Sequence, residues 1–404
     1  MRGRGGASRK RTRSRCDGSR AATAAAAVVG VVALVLGSAG GATASKRLPI
    51  DHYLYVFPDG RIDVFDADHG FRQIDTISLP QARGIRGVAA AAAARLLFIS
   101  YGRDSDVGGG HLLKYDLVGR RVLWDRRYPF GIDSMALSRD GRTIFMPTGE
   151  IATGSAWKVI SADSGDVVGT IAGGRGPHNT VVGQSGRWVY LGPRGDRYLY
   201  LASTATFRVT RRIGPLIWGV RPFTVNGSET LAYTTATHYL GFQVSSLKSG
   251  RVLYTVPVRG FSWNPAAFAP SAPSHGIALS PDEKRLAVMD GPNSYVHVYD
   301  VSRVPRRAPR KVADVRLGQT MTGAESPCLY DCRRDGWLQY SRDGRFLYVG
   351  DAGDVFNAHT WKQTAFVPAL RNSRKFLELW WRNGAIVYAG ARTSTGHVVR
   401  TRRR

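Results

Sequence analysis

Short runs of alternating apolar and polar residues, separated by turns rich in Gly, Asp and Ser, fill the chain between about residues 50 and 390. Segments such as Ala156–Ser161 (AWKVIS) and Tyr295–Asp300 (YVHVYD) have the period-2 pattern of a half-buried antiparallel strand. The 47 glycines and 19 prolines among 404 residues leave little room for long helices. The pattern therefore predicts an all-β protein made of many short strands.

One unit of this pattern, a strand, a polar turn and a second strand, recurs along the chain. Clear copies are Ile132–Met146, Pro177–Leu191, Val220–Tyr233, Ser274–Met289 and Gly336–Val349. The turns of these copies, together with weaker ones at Ala93 and Arg382, are 39 to 61 residues apart. Such a spacing is typical of a four-stranded propeller blade, and loop insertions account for the two longest gaps.

A second hairpin follows each of these units, and seven such hairpins predict seven blades. They are Arg61–Leu79, Leu112–Tyr128, Ala156–Ile171, Tyr198–Ile213, Leu240–Val256, Tyr295–Leu317 and Asp354–Val367. The sequence therefore predicts a seven-bladed β-propeller of four-stranded antiparallel blades.

The two ends of the repeat region complement each other. Tyr53–Phe57 has the sequence of a second strand, and Lys375–Trp381 has that of a first strand. We expect strands from both termini to close the ring, because closure removes free sheet edges. Ala385–Ala389 (AIVYA) is a rival candidate for the second strand, and the sequence does not decide between the two.

The first 44 residues have the pattern of a secretory signal peptide. Basic residues precede the apolar run Ala21–Leu36, and small residues follow as far as Ala44. The most apolar part, Val28–Leu36, is shorter than the roughly 20 residues of a membrane span. We predict a signal peptide over residues 1–44, with an uncleaved anchor as the alternative, a propeller over 45–395 and a basic tail over 396–404. The protein is then expected to be secreted or to lie at the extracytoplasmic envelope surface.

The formal net charge of +27 falls only to +20 without residues 1–44, which contain eight basic residues and one acidic residue. Such a charge favours polyanionic partners through a long-range, salt-dependent field. An anionic envelope polymer or a protein partner is expected, while a small-molecule ligand and nucleic acid remain open. The alternative is a basic but merely solvated surface. We expect a monomer.

The repeat resembles a known family. The segment SHGIALSPDEKRLAVMD over residues 274–290, followed by YVHVYDVS over 295–302, is similar to the YVTN-type β-propeller repeat of secreted bacterial surface proteins. The resemblance extends over about residues 50–390, although Ala89–Ala94 replaces the usual Ser-Pro-Asp-Gly turn. It implies the propeller fold. Because the family and its relatives include lactone-cleaving enzymes, surface-layer components and binding proteins, it implies no single activity.

One face of a propeller carries the loops that enter the innermost strands and the loops that join second to third strands. Alignment of the repeats places a polar or ionisable residue just before each innermost strand: Arg86, Asp133, His178, Arg221, His275, Asp335 and Arg374. We predict that this ring binds a small anionic or polar ligand, with the arginines as bidentate partners of a carboxylate or phosphate. The alternative for the two histidines is that they only satisfy backbone groups of the turns.

Two long insertions, Pro257–Pro273 and Gly318–Asp335, belong to the same face. They either shape a ligand site or simply cap the channel. The second brings Glu325, a candidate general base or cation ligand. A lactonase-like hydrolase or lyase using His178, His275 and Glu325 is therefore the alternative function, although no catalytic residue is assigned.

No phosphate-binding glycine loop, nucleophile elbow or zinc-protease helix occurs in the sequence. No cofactor is predicted, and a divalent metal at the mouth remains open. Cys328 and Cys332 are predicted to form a local disulfide, because an exported protein is oxidised and few further metal ligands lie close by.

Overall fold

The structure, a computed structural model, describes residues 49–103, 108–266, 272–326 and 333–390. These residues form a seven-bladed β-propeller, as predicted: six antiparallel sheets have four strands and one has five. Among them is a single short helix, α1 (Pro368–Arg371), and no helix is long and apolar enough to cross a membrane. The predicted segments 1–44 and 396–404 lie outside the described residues.

The first described strands belong to the closing blade, blade 7, and blades 1 to 6 follow in order. Blade 7 starts with β1 (Asp51–Val56), β2 (Arg61–Asp66) and β3 (Arg72–Ser78). Blade 1 contains β4 (Ile85–Ala91), β5 (Leu96–Gly102), β6 (Gly110–Asp116) and β7 (Arg121–Tyr128). Blade 2 contains β8 (Ala136–Leu137), β9 (Thr143–Pro147), β10 (Ala156–Ser161) and β11 (Val167–Ala172).

The remaining blades follow the same order from the innermost to the outermost strand. Blade 3 contains β12 (Pro177–Val182), β13 (Trp188–Pro193), β14 (Leu199–Ser203) and β15 (Val209–Ile213). Blade 4 contains β16 (Val220–Val225), β17 (Leu231–Ala236), β18 (Tyr239–Ser246) and β19 (Val252–Pro257). Blade 5 contains β20 (Ile277–Leu279), β21 (Arg285–Asp290), β22 (Tyr295–Asp300) and β23 (Arg310–Arg316), and blade 6 contains β24 (Trp337–Tyr340), β25 (Phe346–Gly350), β26 (Asp354–Asn357) and β27 (Gln363–Phe366).

Strands from the two ends of the propeller close the ring. β28 (Phe376–Arg382) pairs antiparallel with β1, from Asp51 opposite Trp381 to Val56 opposite Phe376. The two candidates for the closing blade do not compete, because β29 (Ala385–Ala389) pairs with the other edge of β28 as a fifth strand. Blade 7 is therefore β29-β28-β1-β2-β3.

The hydrophobic core is divided into clusters that lie mainly between neighbouring sheets. Leu377 and Leu379 of blade 7, for example, pack with Leu97 and Ile99 of blade 1. Because successive side chains of a strand point to opposite faces, each middle strand contributes to the clusters on both of its sides. The strands must therefore be apolar on both faces, which explains the nearly continuous apolar runs of the inner hairpins.

Side-chain hydrogen bonds explain the recurring Ser-x-Asp turn between the first two strands of a blade. In blade 5, Ser280 Oγ donates to Asp282 Oδ1 at 2.7 Å and accepts from the Arg285 amide at 2.9 Å. Ser341 and Asp343 form the same turn in blade 6. Blade 1 has alanines at these positions, and there the turn ends at Arg95 with φ of 58°.

Candidate functional site

The seven predicted mouth residues lie at one end of the ring, close to the axis. Arg86, His178 and Arg221 are near the starts of β4, β12 and β16, and the other four lie in the loops just before the innermost strands. His178 and His275, from blades 3 and 5, have ring centroids 6.1 Å apart. The structure therefore brings the predicted set together. Six of the seven residues belong to two ion-paired groups that meet at the histidines, and the charge of Arg86 acts on carboxyl groups of both.

The first group joins blades 2, 3 and 4. His178 Nδ1 lies 2.7 Å from Asp133 Oδ2 and 3.9 Å from Glu150 Oε2. Two guanidinium groups contact the same Glu150 oxygen, Arg221 at 2.7 Å and Arg194 at 3.1 Å. Asp133, His178 and Arg221 are buried, whereas 32% of the Arg194 side chain is exposed. Arg194 is therefore the group through which solvent reaches this network.

Asp133 fixes the orientation of the His178 ring. Its Oδ1 accepts from the Ser134 amide at 2.8 Å, and its Oδ2 faces His178 Nδ1. His178 Nε2 is buried and has no hydrogen-bond partner among the described residues. A buried polar atom without a partner costs about 1–3 kcal/mol, so this nitrogen is placed to bind a ligand or a water.

The second group joins blades 5, 6 and 7 around Arg374. The guanidinium of Arg374 contacts Asp335 and lies 3.3 Å from Glu325 Oε1. Asp335 Oδ1 also lies 3.2 Å from His275 Nδ1, which donates to the carbonyl oxygen of Gly336 at 3.1 Å. Asp351 is fully buried beside Glu325 and Arg374 and accepts from the Asp335 and Gly336 amides.

Burial and charge set the protonation of this second group. Burial raises the pKa of Asp351 well above its usual range, and the adjacent Glu325 charge raises it further. Burial also opposes ionisation of Glu325, but the charges of Arg374 and Lys375 outweigh it and lower its pKa to about 2. Glu325 is consequently a carboxylate, whereas burial and the neighbouring Glu325 charge disfavour the ionised form of Asp351. With so low a pKa, Glu325 is a poor general base, and it serves better as the anionic partner of Arg374.

Burial and neighbouring charges also act on His275 and on Glu150. Burial, together with the charges of Arg221 and Arg374, lowers the pKa of His275 well below its usual range, so this ring is neutral. In the first group, burial again opposes ionisation of Glu150, but His178, Arg221 and Arg194 hold its pKa well below the usual range. Glu150 is therefore ionised beneath the mouth.

Charged groups of both signs meet at the mouth. Five cations (Arg86, Arg194, Arg221, Arg374 and Lys375) act on five carboxyl groups (Asp133, Glu150, Glu325, Asp335 and Asp351). Burial and the Glu325 charge raise the pKa of Asp351, and burial raises the pKa of Asp335 as well. Because a raised pKa disfavours the ionised form of these two carboxyl groups, the cluster favours an additional anionic ligand.

Several members of the site were not among the predicted residues. Glu150 lies in the loop between β9 and β10, and Asp351 lies in the loop between β25 and β26. Arg194 directly follows β13 in the corresponding loop of blade 3. All three belong to the loops that join second to third strands, which share the mouth face. Extending the repeat alignment to those loops would have found them.

Three mouth residues have the composition of a metal site. One ligand atom each from Asp133, Glu150 and His178 lies within 4.8 Å of the others. However, Arg194 and Arg221 both contact the carboxylate of Glu150, and their positive charge opposes a cation there. We therefore interpret the group as an ion-pair network that could hold a divalent cation only after the arginines move.

The two insertions are fastened beside the mouth onto blade 5. The Lys311 side-chain amine donates to the Arg259 carbonyl oxygen at 2.8 Å. The side-chain amide of Asn293 donates to the Ser262 carbonyl oxygen at 2.9 Å. The Met321 amide of the second insertion donates to Ser294 Oγ at 3.0 Å. Trp263 and Met321 pack in one hydrophobic cluster. Cys328 and Cys332, and with them the predicted disulfide, lie outside the described residues.

A comparison of the chain with protein-family models and with curated proteins finds no match. The candidate site therefore rests on its geometry and on the sequence.

Proposed function

We propose that this protein is a binding propeller whose charged mouth takes a small ligand with an anionic group. The observation that carries the proposal is the convergence of cations from several blades on one buried cluster of carboxyl groups. Arg194 is more exposed than Arg221 and Arg374, the other two arginines of the ion-paired groups at the mouth, and would meet the ligand first. Arg221, held by Glu150 at 2.7 Å, would supply a second donor in a fixed position.

Calorimetric titration with small carboxylates and phosphates tests this proposal. We expect at least one class to bind, and Arg194→Gln to weaken that binding about tenfold, since one charged hydrogen bond is lost. Arg310→Gln is the matched control, because Arg310 lies on an outermost strand with 76% of its side chain exposed. The proposal would be wrong if no anion bound, or if Arg194→Gln and Arg310→Gln lost the same amount of affinity.

The Asp133–His178 pair supports a second candidate, hydrolysis of a lactone. His178 Nε2 would take a proton from water as the water oxygen attacks the lactone carbonyl carbon. The ring C–O bond would then break, the proton would pass to the leaving oxygen, and a hydroxy acid would result. Arg194 and Arg221 would stabilise the negative oxygen of the intermediate.

A lactone hydrolysis screen separates this candidate from pure binding. We expect His178→Ala to lower the rate about 100-fold or more, and His275→Ala to lower it less, since the His275 ring already donates to Gly336. His69→Ala, which changes an imidazole that is 75% exposed, is the control. If the wild type hydrolyses lactones no faster than the three variants, the binding function alone remains.

Export to the envelope, with an acidic envelope polymer or a protein as partner, is the cellular setting that we propose for this binding. The N-terminal pattern and the net charge that remains without it support this setting, as does the resemblance to the YVTN-type repeat. Cell fractionation of the full chain tests it. Recovery of the propeller only from the cytoplasm would contradict it.

A further inference from the structure

Three aromatic rings form a row on the mouth face of blade 4. Trp218 precedes β16, His238 lies in the turn between β17 and β18, and Trp263 lies in the first insertion. Neighbouring ring centroids are 6.0 Å apart in both pairs. Trp218 meets His238 edge-on at 89°, and His238 lies nearly parallel to Trp263 at 15°.

The row begins next to the arginines of the mouth. Gly219, the neighbour of Trp218, packs so closely on the Arg194 carbonyl oxygen that a Cβ atom would lie only 1.8 Å from it. The Thr237 amide donates to the Gly219 carbonyl oxygen at 3.0 Å, and Thr237 Oγ1 accepts from Arg221 Nε at 3.1 Å. These contacts fix the backbone next to Trp218 against the backbone of Arg194, and they link it through Thr237 to the Arg221 side chain.

Packing within the propeller does not account for the exposure of Trp218. Its side chain is 50% exposed, whereas Trp157 and Trp337 are buried between blades. At the other end of the row, Trp263 packs against the cluster between blades 5 and 6. Its indole N–H is buried and has no hydrogen-bond partner among the described residues. The row thus presents an open aromatic face at one end and an unused donor at the other.

We propose that the mouth and this row together form a site for an acidic saccharide, that is, a sugar bearing a carboxylate such as a uronic acid. The inference rests on the proposed binding of an anionic ligand at the mouth. The carboxylate contacts Arg194, and the apolar C–H face of the sugar ring stacks on Trp218. Glu150 and Thr237 are within the same region and accept hydrogen bonds from sugar hydroxyls.

Several features favour a saccharide over nucleic acid. Arginines and carboxylates alternate at the mouth, so donors and acceptors are both available, as hydroxyl groups require. A nucleic acid strand needs cations that follow its phosphates, but among the described residues no lysine or arginine lies over any of the three rings. The charged contacts are concentrated at one end of the row. This arrangement suits one carboxylate with an attached ring.

The test compares ligands that differ in one property at a time. Glucuronate, glucose and succinate are titrated into the full protein, and an oligogalacturonate arm separates polymer binding from free-sugar binding. We expect glucuronate to bind about tenfold more tightly than either glucose or succinate. Trp218→Ala should abolish that advantage over succinate, while Phe366→Ala, which removes an aromatic ring that is 42% exposed on an outermost strand, should leave it unchanged.

The outcomes separate this inference from the proposed function. Equal binding of succinate and glucuronate, with no effect of Trp218→Ala, overturns the saccharide and leaves the anionic-ligand function intact. No binding of any anion overturns both. A single-stranded oligonucleotide is the third competitor. If it displaces glucuronate, binds more tightly and loses affinity in Trp218→Ala, the saccharide proposal is overturned in favour of nucleic acid. Unchanged thermal unfolding of both variants confirms that they remain folded.

Discussion

Individual charged residues at the mouth depend on one another because nearly all of them are buried. Arg221 is 4% exposed, and its guanidinium lies 2.7 Å from Glu150 Oε2. Removing one member of a buried pair leaves the other charge without compensation in a region of low dielectric. The same network can therefore position a ligand and limit which substitutions the fold tolerates.

Glu150→Gln should lower the free energy of unfolding by about 3 kcal/mol, because it leaves Arg221 and Arg194 without their shared carboxylate. Urea unfolding at neutral pH measures the change. Arg310→Gln removes an arginine that is largely exposed, and it should change the stability by less than about 0.5 kcal/mol. Equal effects of the two substitutions would show that the buried network adds nothing to stability.

Glu378 on β28 should make stability depend on pH near neutrality. Its carboxylate accepts from Trp380 Nε1 and from the Arg342 amide, both at 2.8 Å, yet burial raises its pKa to about 7 from 4.5. A raised pKa means that this contribution to stability is complete below about pH 4.5 and is lost as the pH rises through 7. The free energy of unfolding of Glu378→Gln should therefore exceed that of the wild type by up to about 3 kcal/mol above pH 8, and the two should be equal near pH 4.

Glu325 provides the opposite control in the same thermal or urea titration. Its pKa is lowered to about 2. The carboxylate therefore stabilises the folded protein above about pH 4.5, and this stabilisation is lost as the pH falls towards 2. Glu325→Gln should accordingly destabilise the protein at neutral pH and lose that effect in acid. Identical pH profiles for the two variants would contradict both assignments.

Among the elements, the hairpins could be predicted from the sequence, whereas several contacts between blades could not. Outer strands such as β19 and β23 alternate between more and less exposed residues, and this alternation predicts all seven outer hairpins. The role of β29 escaped prediction because AIVYA matches any second strand, and only pairing with β28 shows that it is an added edge. Glu150 meets Arg221 across 71 residues, a distance that local patterns do not encode.

The first insertion depends on one buried histidine of β22. His297 lies between Asp314 Oδ1 at 2.6 Å and Asp290 Oδ2 at 3.0 Å, and Phe261 of the insertion packs on its ring at 4.5 Å. His297→Ala removes this platform and leaves the buried Asp290 without one of its partners. We expect proteases to cleave residues 257–266 at least tenfold faster in this variant. In His69→Ala, which changes an exposed side chain, proteases should cleave the same residues at the wild-type rate.

Closure of the ring makes the stability of the whole propeller depend on its last strands. β28 supplies the innermost strand of blade 7, and its Leu377 and Leu379 belong to the cluster shared with blade 1. Without β28, the edge of β1 would expose unpaired backbone groups, and blade 7 would lose its contact with the channel. An open array of blades would then have two ends that favour association with other chains.

A chain that ends at Ser373 should therefore fail to form a stable monomer. It lacks β28 and β29, so we expect a lower unfolding midpoint, loss of cooperativity and higher-order association in light scattering. A chain that ends at Gly390 keeps all the strands that the structure describes and should unfold like the full protein. If the chain ending at Ser373 remains monomeric and unfolds cooperatively at the wild-type midpoint, blade 7 does not hold the ring closed.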